Sequence, residues 1–482
     1  MALLCGEERL TYAELAAAVR RAAGALAGFG VQPEERVVLL MRDTPEFAAA
    51  WLGAVYAGAI AVALNNRLSE EDCAHILADS AARLAIVDES FVAARPALTR
   101  KLEREGRLAL LPAWRKRLRK AHEATAFEVA PEAPALILYS SGTTGRPKGI
   151  VHSHRAINCA GLSLRALGIG AGERVFTSSK LFFAYGIEHG LLAPLALGGT
   201  AVLYPDWPDA PAVVDIVARH APAAVFSVPT MYRRLLAEPP ASLAPFRRVR
   251  RFIAGGERLS GRLVAQWREA VGGELLNLYG MSETFCACVL TPPGSSDGTR
   301  TGTPLEGVEV RLLDESENEP APGTPGVLWV RHPAQANSYL NLPEPTRAQF
   351  RDGWFCSHDL FIRDADGYLV HQGRSDELLK VAGQWVQPGE LEEAAASAPL
   401  VSEAACVPVC DADGLERLAL FVTVRGSPAE ALPAVTAACE RLLPRHKRPK
   451  WLRAVAELPR TATGKVQRYK LREVLERELA SK

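Results

Sequence analysis

The chain has 482 residues, 48% of them hydrophobic and 23% charged, with a formal net charge of +1. That length exceeds what one core can organise and implies at least two domains, while the even charge balance gives no electrostatic case for a nucleic-acid or membrane partner. Nine cysteines without a CxxC pair argue against a structural zinc framework and suit reduced thiols in a cytoplasmic protein, with the oligomeric state left open. The first residues are charged too early for a signal peptide. The apolar run 51–64 is too short and too rich in glycine and alanine to span a bilayer. Thr11-Tyr12-Ala13-Glu14 has the spacing of a capping box, and Leu15, Val19, Ala22 and Leu26 follow on a helical stripe that Gly28 and Gly30 can end. Residues 36–41 predict a buried strand, Asp43 or Thr44 the cap of a helix with Pro45 in its first turn, and 59–64 and 84–87 two further strands. This alternation predicts parallel α/β layers. The tract 89–130 carries Arg115, Lys116, Arg117, Arg119 and Lys120 and reads as a solvated helix face or linker, with phosphate contact as the alternative.

An apolar run over 135–139 then opens into Y-S-S-G-T-T-G-R-P-K-G at 139–149. Ser140, Ser141, Thr143 and Thr144 offer hydroxyl donors. Gly142 and Gly145 let backbone N–H groups turn inward, and Lys148 adds a point charge, a combination suited to phosphate. The spacing is not that of a Walker A loop, because Pro147 precedes the lysine and Gly149 follows it. Ser153 can cap a helix running through Ala156, Ile157, Leu162 and Leu164. The loop resembles the phosphate loop of adenylate-forming enzymes, the superfamily of acyl-CoA synthetases, adenylation domains and luciferases.

Beyond it the α/β rhythm continues, with strands predicted at 200–204, 223–228, 251–254 and 274–278 and a helix opened by Pro229 and Thr230. Ala254-Gly255-Gly256-Glu257 ends a strand on two glycines, where backbone can approach a planar ligand. In Tyr279-Gly280-Met281-Ser282-Glu283, the ring of Tyr279 can stack on a base, Ser282 can meet phosphate, and Glu283 is a hard oxygen ligand for Mg²⁺. Residues 302–331 change to short β-like runs between prolines and glycines, and beyond Arg374 a compact α+β pattern follows, with strands at 404–409 and 418–424 and helices at 428–443 and 466–479. By resemblance, Asp359 of W-F-C-S-H-D bonds the ribose hydroxyls, Arg374 of G-R-S-D contacts ribose or phosphate, and Asp376 is a hinge. Lys465 of P-R-T-A-T-G-K is the catalytic lysine, whose charge meets the anion built up when carboxylate attacks phosphate. The implied architecture is α/β and multidomain. A large N-terminal domain of α/β layers with a small β-barrel unit (1–375) precedes a small mobile α+β C-terminal domain (376–482).

Two further stretches, Ser179-Lys180-Leu181-Phe182-Phe183-Ala184-Tyr185-Gly186 and Lys380-Val381-Ala382-Gly383-Gln384-Trp385, resemble benzoate-CoA ligases and related aryl-CoA ligases. That resemblance places Ala184, Tyr185, Gly186, Cys286 and Ala287 around the acyl group and Gly383, Gln384 and Trp385 on the thiol channel. It implies an enzyme using ATP, Mg²⁺ and coenzyme A to join an aryl carboxylic acid to a thiol through an acyl-AMP. The alternative is a carrier-protein phosphopantetheine as acceptor, and the basic tract at 441–450 suits either partner or plain solvent. The pattern departs from those ligases in three places. The chain begins almost at its first helix motif. Thr284-Phe285-Cys286-Ala287 replaces the usual Met-Leu-His-Ile, and Glu188 and His189 stand where smaller or uncharged residues are expected. Smaller side chains at Cys286 and Ala287 predict a substituted ring, 2-aminobenzoate being the first example, in preference to benzoate.

Overall fold

A computed structural model describes residues 1–141, 146–375, 379–381, 384–411, 415–460 and 466–480. Gly142, Thr143, Thr144, Gly145, Asp376, Gly383 and Lys465 lie outside these, as do the side chains of Ser141, Gln384 and Trp385. The chain forms two compact units. One comprises Met1–Thr324, Trp329–Ser357 and Arg363–Val370; the other comprises Pro325–Leu328, His358–Ile362 and His371–Lys482.

The first unit is built on two large sheets. The nine-stranded sheet runs Thr303–Pro304, Ala287–Leu290, Leu275–Gly280, Arg251–Gly255, Ala224–Ser227, Arg174–Thr177, Thr200–Leu203, Leu3–Cys5, Glu8–Leu10. Its six inner strands are parallel and its outer pairings antiparallel. Parallel strands are covered on both faces, so they read as continuous apolar runs, and Ala224–Ser227 and Thr200–Leu203 are buried throughout. Carboxyl ends of parallel strands share one edge, the usual side for ligands. Ser178-Ser179-Lys180, Gly256-Glu257 and Met281-Ser282-Glu283 all follow such ends. The seven-stranded sheet runs Ser338–Tyr339, Pro147–Ser153, Pro134–Ser141, Ile60–Ala63, Arg36–Leu40, Leu84–Val87, Leu108–Leu110. Its antiparallel hairpin pairs Tyr139 with Gly149 and Ser140 with Lys148, so the glycine-rich turn hangs from the end of two paired strands.

The Thr11 capping box forms with both of its hydrogen bonds, and Thr44, not Asp43, caps the helix Pro45–Tyr56. The helix expected from Ser153 through Leu164 is instead two short pieces, His154–Asn158 and Leu162–Ala166. They break at Gly161, whose φ of +101° only glycine adopts readily, and the Ser153 hydroxyl makes no cap. The basic tract is partly helical, as Pro96–Arg104 and Leu111–Lys120, with Arg115 paired to Glu46. The stretch 302–331 supplies the strands Glu309–Leu313 and Gly326–Arg331 of a five-stranded sheet.

In the second unit, Val401–Cys410, Glu416–Val424 and Trp451–Ala454 form a three-stranded sheet, with helices Pro388–Ala396, Pro428–Leu442 and Arg468–Ala480. Val386, Leu391, Cys406, Leu420 and Val435 share its main core. No helix among the described residues is long and apolar enough to cross a membrane.

Candidate active site

The phosphate-loop lysine and the carboxylate of the tyrosine motif meet in the first unit. Lys148 Nζ lies 3.2 Å from Glu283 Oε1, although the two are far apart in sequence. The Tyr339 hydroxyl donates to the same Oε1 at 2.9 Å, and its ring lies 4.0 Å beneath the Lys148 ammonium. Tyr339 reaches this position because Ser338–Tyr339 pairs with the strand carrying Lys148. Glu283 sits on the short turn Ser282–Thr284 beyond Leu275–Gly280. The next residue, Phe285, holds φ +59°, a strained conformation for an aromatic residue and one found most often at functional sites. His152 fixes this turn: its Nε2–H donates to the Ser282 carbonyl at 2.8 Å, and its ring lies 5.3 Å from that of Phe285. Burial pushes the His152 pKa down to about 4, so the imidazole stays neutral.

Glu283 suits the metal role read from the sequence. Among the described residues no group of three or more His, Cys, Asp and Glu side chains could hold a metal unaided. Mg²⁺ commonly takes one or two protein carboxylates and completes its shell with water and phosphate, and Glu283, with a side chain 13% exposed, offers one such oxygen site. Glu257 is exposed, and its Oε2 accepts from the backbone N–H and hydroxyl of Thr230 at 3.1 and 2.7 Å. This ties the glycine turn of 255–257 to the start of the helix Pro229–Leu236. A Cβ on Gly280 would stand 3.1 Å from Ala287 Cα, a tight contact that the neighbouring backbone would have to relieve. Gly256 takes φ +78°.

In the second unit, Asp359 lies 3.2 Å from His371 Nε2 and 3.8 Å from Arg374. The predicted ribose-binding acid and its predicted basic neighbour are therefore adjacent, with His371 as a third member that the sequence did not point to.

The acyl-pocket residues stand beside a buried polar cluster. Lys180, 1% exposed, donates to the carbonyls of Tyr204, Pro205 and Asp206 at 2.8, 3.0 and 2.8 Å and lies 2.9 Å from Asp43 Oδ2. Asp43 also accepts from the Leu181 N–H at 3.1 Å. The turn before Ala184 is thus anchored from both sides. A Cβ on Gly186 would lie 1.9 Å from the Lys180 carbonyl oxygen, so only glycine fits. Tyr185 donates its hydroxyl to Ser227 O at 3.1 Å and 3.4 Å from Ile253 O, and its ring packs beneath Gly255, where a Cβ would come within 2.9 Å. Behind Tyr185, the short helix Ala184–Ile187 widens into a π-turn over Glu188–Leu192. Cys286 and Ala287 are buried, and Ala287 is held at both backbone ends. Its N–H donates to Glu188 Oε2 at 3.2 Å, and its carbonyl accepts from His332 Nε2 at 3.2 Å. His332 Nδ1 accepts from Ala334 N–H, which fixes the proton on Nε2. Sequence reasoning passed over Tyr339, His152 and His332. Only His152 left a trace, as a histidine directly after the buried apolar pair Ile150-Val151.

Residues 1–340 match the family described as AMP-binding enzyme, and residues 390–465 match the AMP-binding enzyme C-terminal domain. The chain is 41% identical to the 3-hydroxybenzoate–CoA/4-hydroxybenzoate–CoA ligase of Thauera aromatica, over 99% of this chain and 94% of that protein. Among solved structures it resembles the anthranilate CoA ligase AuaEII in complex with anthranoyl-AMP, with a TM-score of 0.92 and 30% identity over 99% of this chain and 95% of that one. It also resembles a benzoate CoA ligase from Burkholderia xenovorans LB400, with a TM-score of 0.89 and 34% identity over 98% and 96%.

Proposed function

Because the chain belongs to the AMP-binding enzyme family, as an acid–thiol ligase that forms AMP, we propose that it adenylates a substituted benzoate and passes the acyl group to coenzyme A. Aryl acid–CoA ligation is the coarser function, and the likeness to such ligases along nearly the whole chain supports it. These relatives do not favour a carrier protein as acceptor. In the first step an oxygen of the aryl carboxylate attacks the α-phosphorus of ATP, giving acyl-AMP and pyrophosphate. In the second the thiol sulfur attacks the acyl carbon, AMP leaves with the bonding pair, and the thiol proton passes to a base.

The chain's own residues have distinct tasks in this reading. Ser140, Ser141, Gly142, Thr143, Thr144, Gly145 and Lys148 hold phosphate. Tyr279, Gly280, Ser282, Gly256 and Glu257 border the nucleotide, and Asp359 and Arg374 take its ribose. Glu283 would hold Mg²⁺, which when bound neutralises phosphate charge. Lys465 stabilises charge building between carboxylate and phosphate in the first step. Gly383, Gln384 and Trp385 face the thiol in the second, after the 376–482 domain turns about Asp376.

The observation that carries the substituent reading is the small wall at Cys286 and Ala287, whose backbone Glu188 and His332 hold in place. Pyrophosphate release over a set of aryl and aliphatic acids, with and without coenzyme A, tests it. A hydroxy- or aminobenzoate should have a higher kcat/KM than benzoate, and Ala287→Ile, which adds three carbons to the wall, should move the preference back towards benzoate by about tenfold or more. Faster use of an aliphatic acid than of every aryl acid would refute the aryl reading. Preference for benzoate, unmoved by Ala287→Ile, would refute only the substituent.

A further inference from the structure

Glu188 is the one acidic side chain in the segment expected to surround the acyl group. It is 1% exposed and lies three residues after Tyr185, in the same stretch of helix. Its carboxyl reaches across to Ala287, so it stands between the two segments that the sequence assigns to the acyl wall. The Cys286 thiol also interacts with this carboxyl. Oε2 accepts the Ala287 N–H, whereas Oε1 is buried without a hydrogen-bond partner.

Among the described residues, the surroundings supply no cation to balance a carboxylate. His189 Nε2 lies 3.5 Å from Oε2, but this is not an ion pair. His189 Nδ1 bonds the Tyr185 carbonyl at 2.9 Å and must carry the proton, so Nε2 is the acceptor, paired with the Ser163 hydroxyl at 3.0 Å. Burial keeps that imidazole neutral, with its pKa pushed down to about 4. The remaining titratable neighbours are the Tyr185 phenol and the thiols of Cys286, Cys159 and Cys288, all pushed up by burial. A carboxyl placed only to hold Ala287 in position would need a single oxygen, and an amide would serve as well. An idle, desolvated second oxygen beside a substrate wall is arranged for a partner that arrives with the ligand.

We propose that Glu188 is a specificity-determining residue, whose free oxygen pairs with a hydroxyl or amino substituent on the aromatic ring of the acid. This rests on the aryl acid–CoA ligase reading and deepens it: the substrate class becomes hydroxy- or aminobenzoates rather than halogenated, alkylated or unsubstituted ones. An apolar substituent of the same size would leave Oε1 desolvated and unpaired. A site built around a substrate hydrogen bond discriminates far better than one built on volume alone.

The test is kcat/KM of the full-length enzyme, with ATP and coenzyme A, for 3-hydroxybenzoate, 4-hydroxybenzoate, 2-aminobenzoate, benzoate and the corresponding methylbenzoates. The unmodified enzyme should prefer a hydroxy- or aminobenzoate over its methyl counterpart. Glu188→Leu should reduce that ratio by about 10- to 100-fold, carried mainly by KM, and the isosteric Glu188→Gln should restore part of it for a hydroxybenzoate, since a hydroxyl can accept as well as donate. If Glu188→Leu is poorly folded, Glu188→Gln alone still decides. Assayed above pH 8, where the Glu188 carboxyl is ionised, the amide should depress the ratio for 2-aminobenzoate, whose nitrogen is a poor acceptor, more than for the hydroxybenzoates. Parallel loss for polar and apolar acids, leaving the ratio unchanged in both variants, would reduce Glu188 to a support for Ala287 and overturn the proposal. A methylbenzoate or benzoate as best substrate of the unmodified enzyme would do the same. Absence of thioester formation with any aryl acid would instead defeat the underlying function.

Discussion

Glu283 and Lys148 show how much a single ion pair can organise. Both are partly shielded, and the Tyr339 hydroxyl and ring hold the pair from one side. Glu283→Gln keeps the shape and the Tyr339 contact but removes the charge. Acyl-AMP formation should fall by about 10²-fold or more, as for other losses of a fixed charge contact, with little change in melting temperature. ATP–pyrophosphate exchange and a thermal melt would check this, and full activity would remove Glu283 from the metal role. The residue scale is also where sequence was most and least informative. Glu283 was legible because a tyrosine, a glycine and a hydroxyl precede it in a fixed order. Tyr339 and His332 were not, because each acts through a partner on another strand and neither its type nor its neighbours mark it. The Asp43–Lys180 pair was hidden for the same reason: Asp43 suggested a helix cap, and its real partners lie more than a hundred residues away.

At the scale of elements, the turn 178–186 owes its shape to that buried pair. Lys180 shares its three protons among four acceptors, the carbonyls of 204–206 and Asp43 Oδ2, and the resulting tie sets the close approach that only Gly186 allows. Lys180→Met would leave the Asp43 carboxylate buried without a counter-charge and should cost about 3–5 kcal/mol, while Asp43→Asn in the same chain should recover part of the loss. Urea denaturation of the single and double variants measures both values, and additive losses would show that the two side chains act separately. The strands were legible because parallel strands covered on both faces are continuous apolar runs. The helix after Ser153 was misread because its apolar spacing runs on through Gly161, and spacing does not reveal a left-handed backbone.

For the whole molecule, buried titratable groups near the acyl and nucleotide sites pull stability in opposite directions with pH. His152, His189 and His332 have pKa values pushed down to about 4 by burial, so the unfolded chain binds more protons between there and its ordinary value near 6.5. Their contribution is present above that range and lost as pH falls through it. Glu188 works the other way: burial raises it to about 8, so the folded state binds the extra proton from the ordinary carboxylate range up to that value, and stability falls as pH rises across it. His189, the Tyr185 phenol and the Cys286, Cys159 and Cys288 thiols face this carboxyl and stay neutral over most of that span. Glu188→Gln, which cannot ionise, should therefore gain in melting temperature relative to the unmodified protein between pH 5 and 8, the difference levelling off above. Melting curves of both proteins at half-unit steps decide it, and a constant difference would place the Glu188 proton elsewhere.

A centre in which lysine already neutralises the metal-binding carboxylate carries its own lock. A bare cation arriving there must evict an ammonium that has nowhere better to go, whereas a phosphate chain offers that ammonium a new seat. Metal and nucleotide should then be mutually dependent guests, each raising the affinity of the other by the same factor. Calorimetric titration should find weak Mg²⁺ binding to the protein alone and tight binding with a non-hydrolysable nucleotide. Lys148→Met should narrow that gap from both ends, strengthening the lone cation and weakening the nucleotide, an exchange of tenants that a merely structural ion pair would not produce.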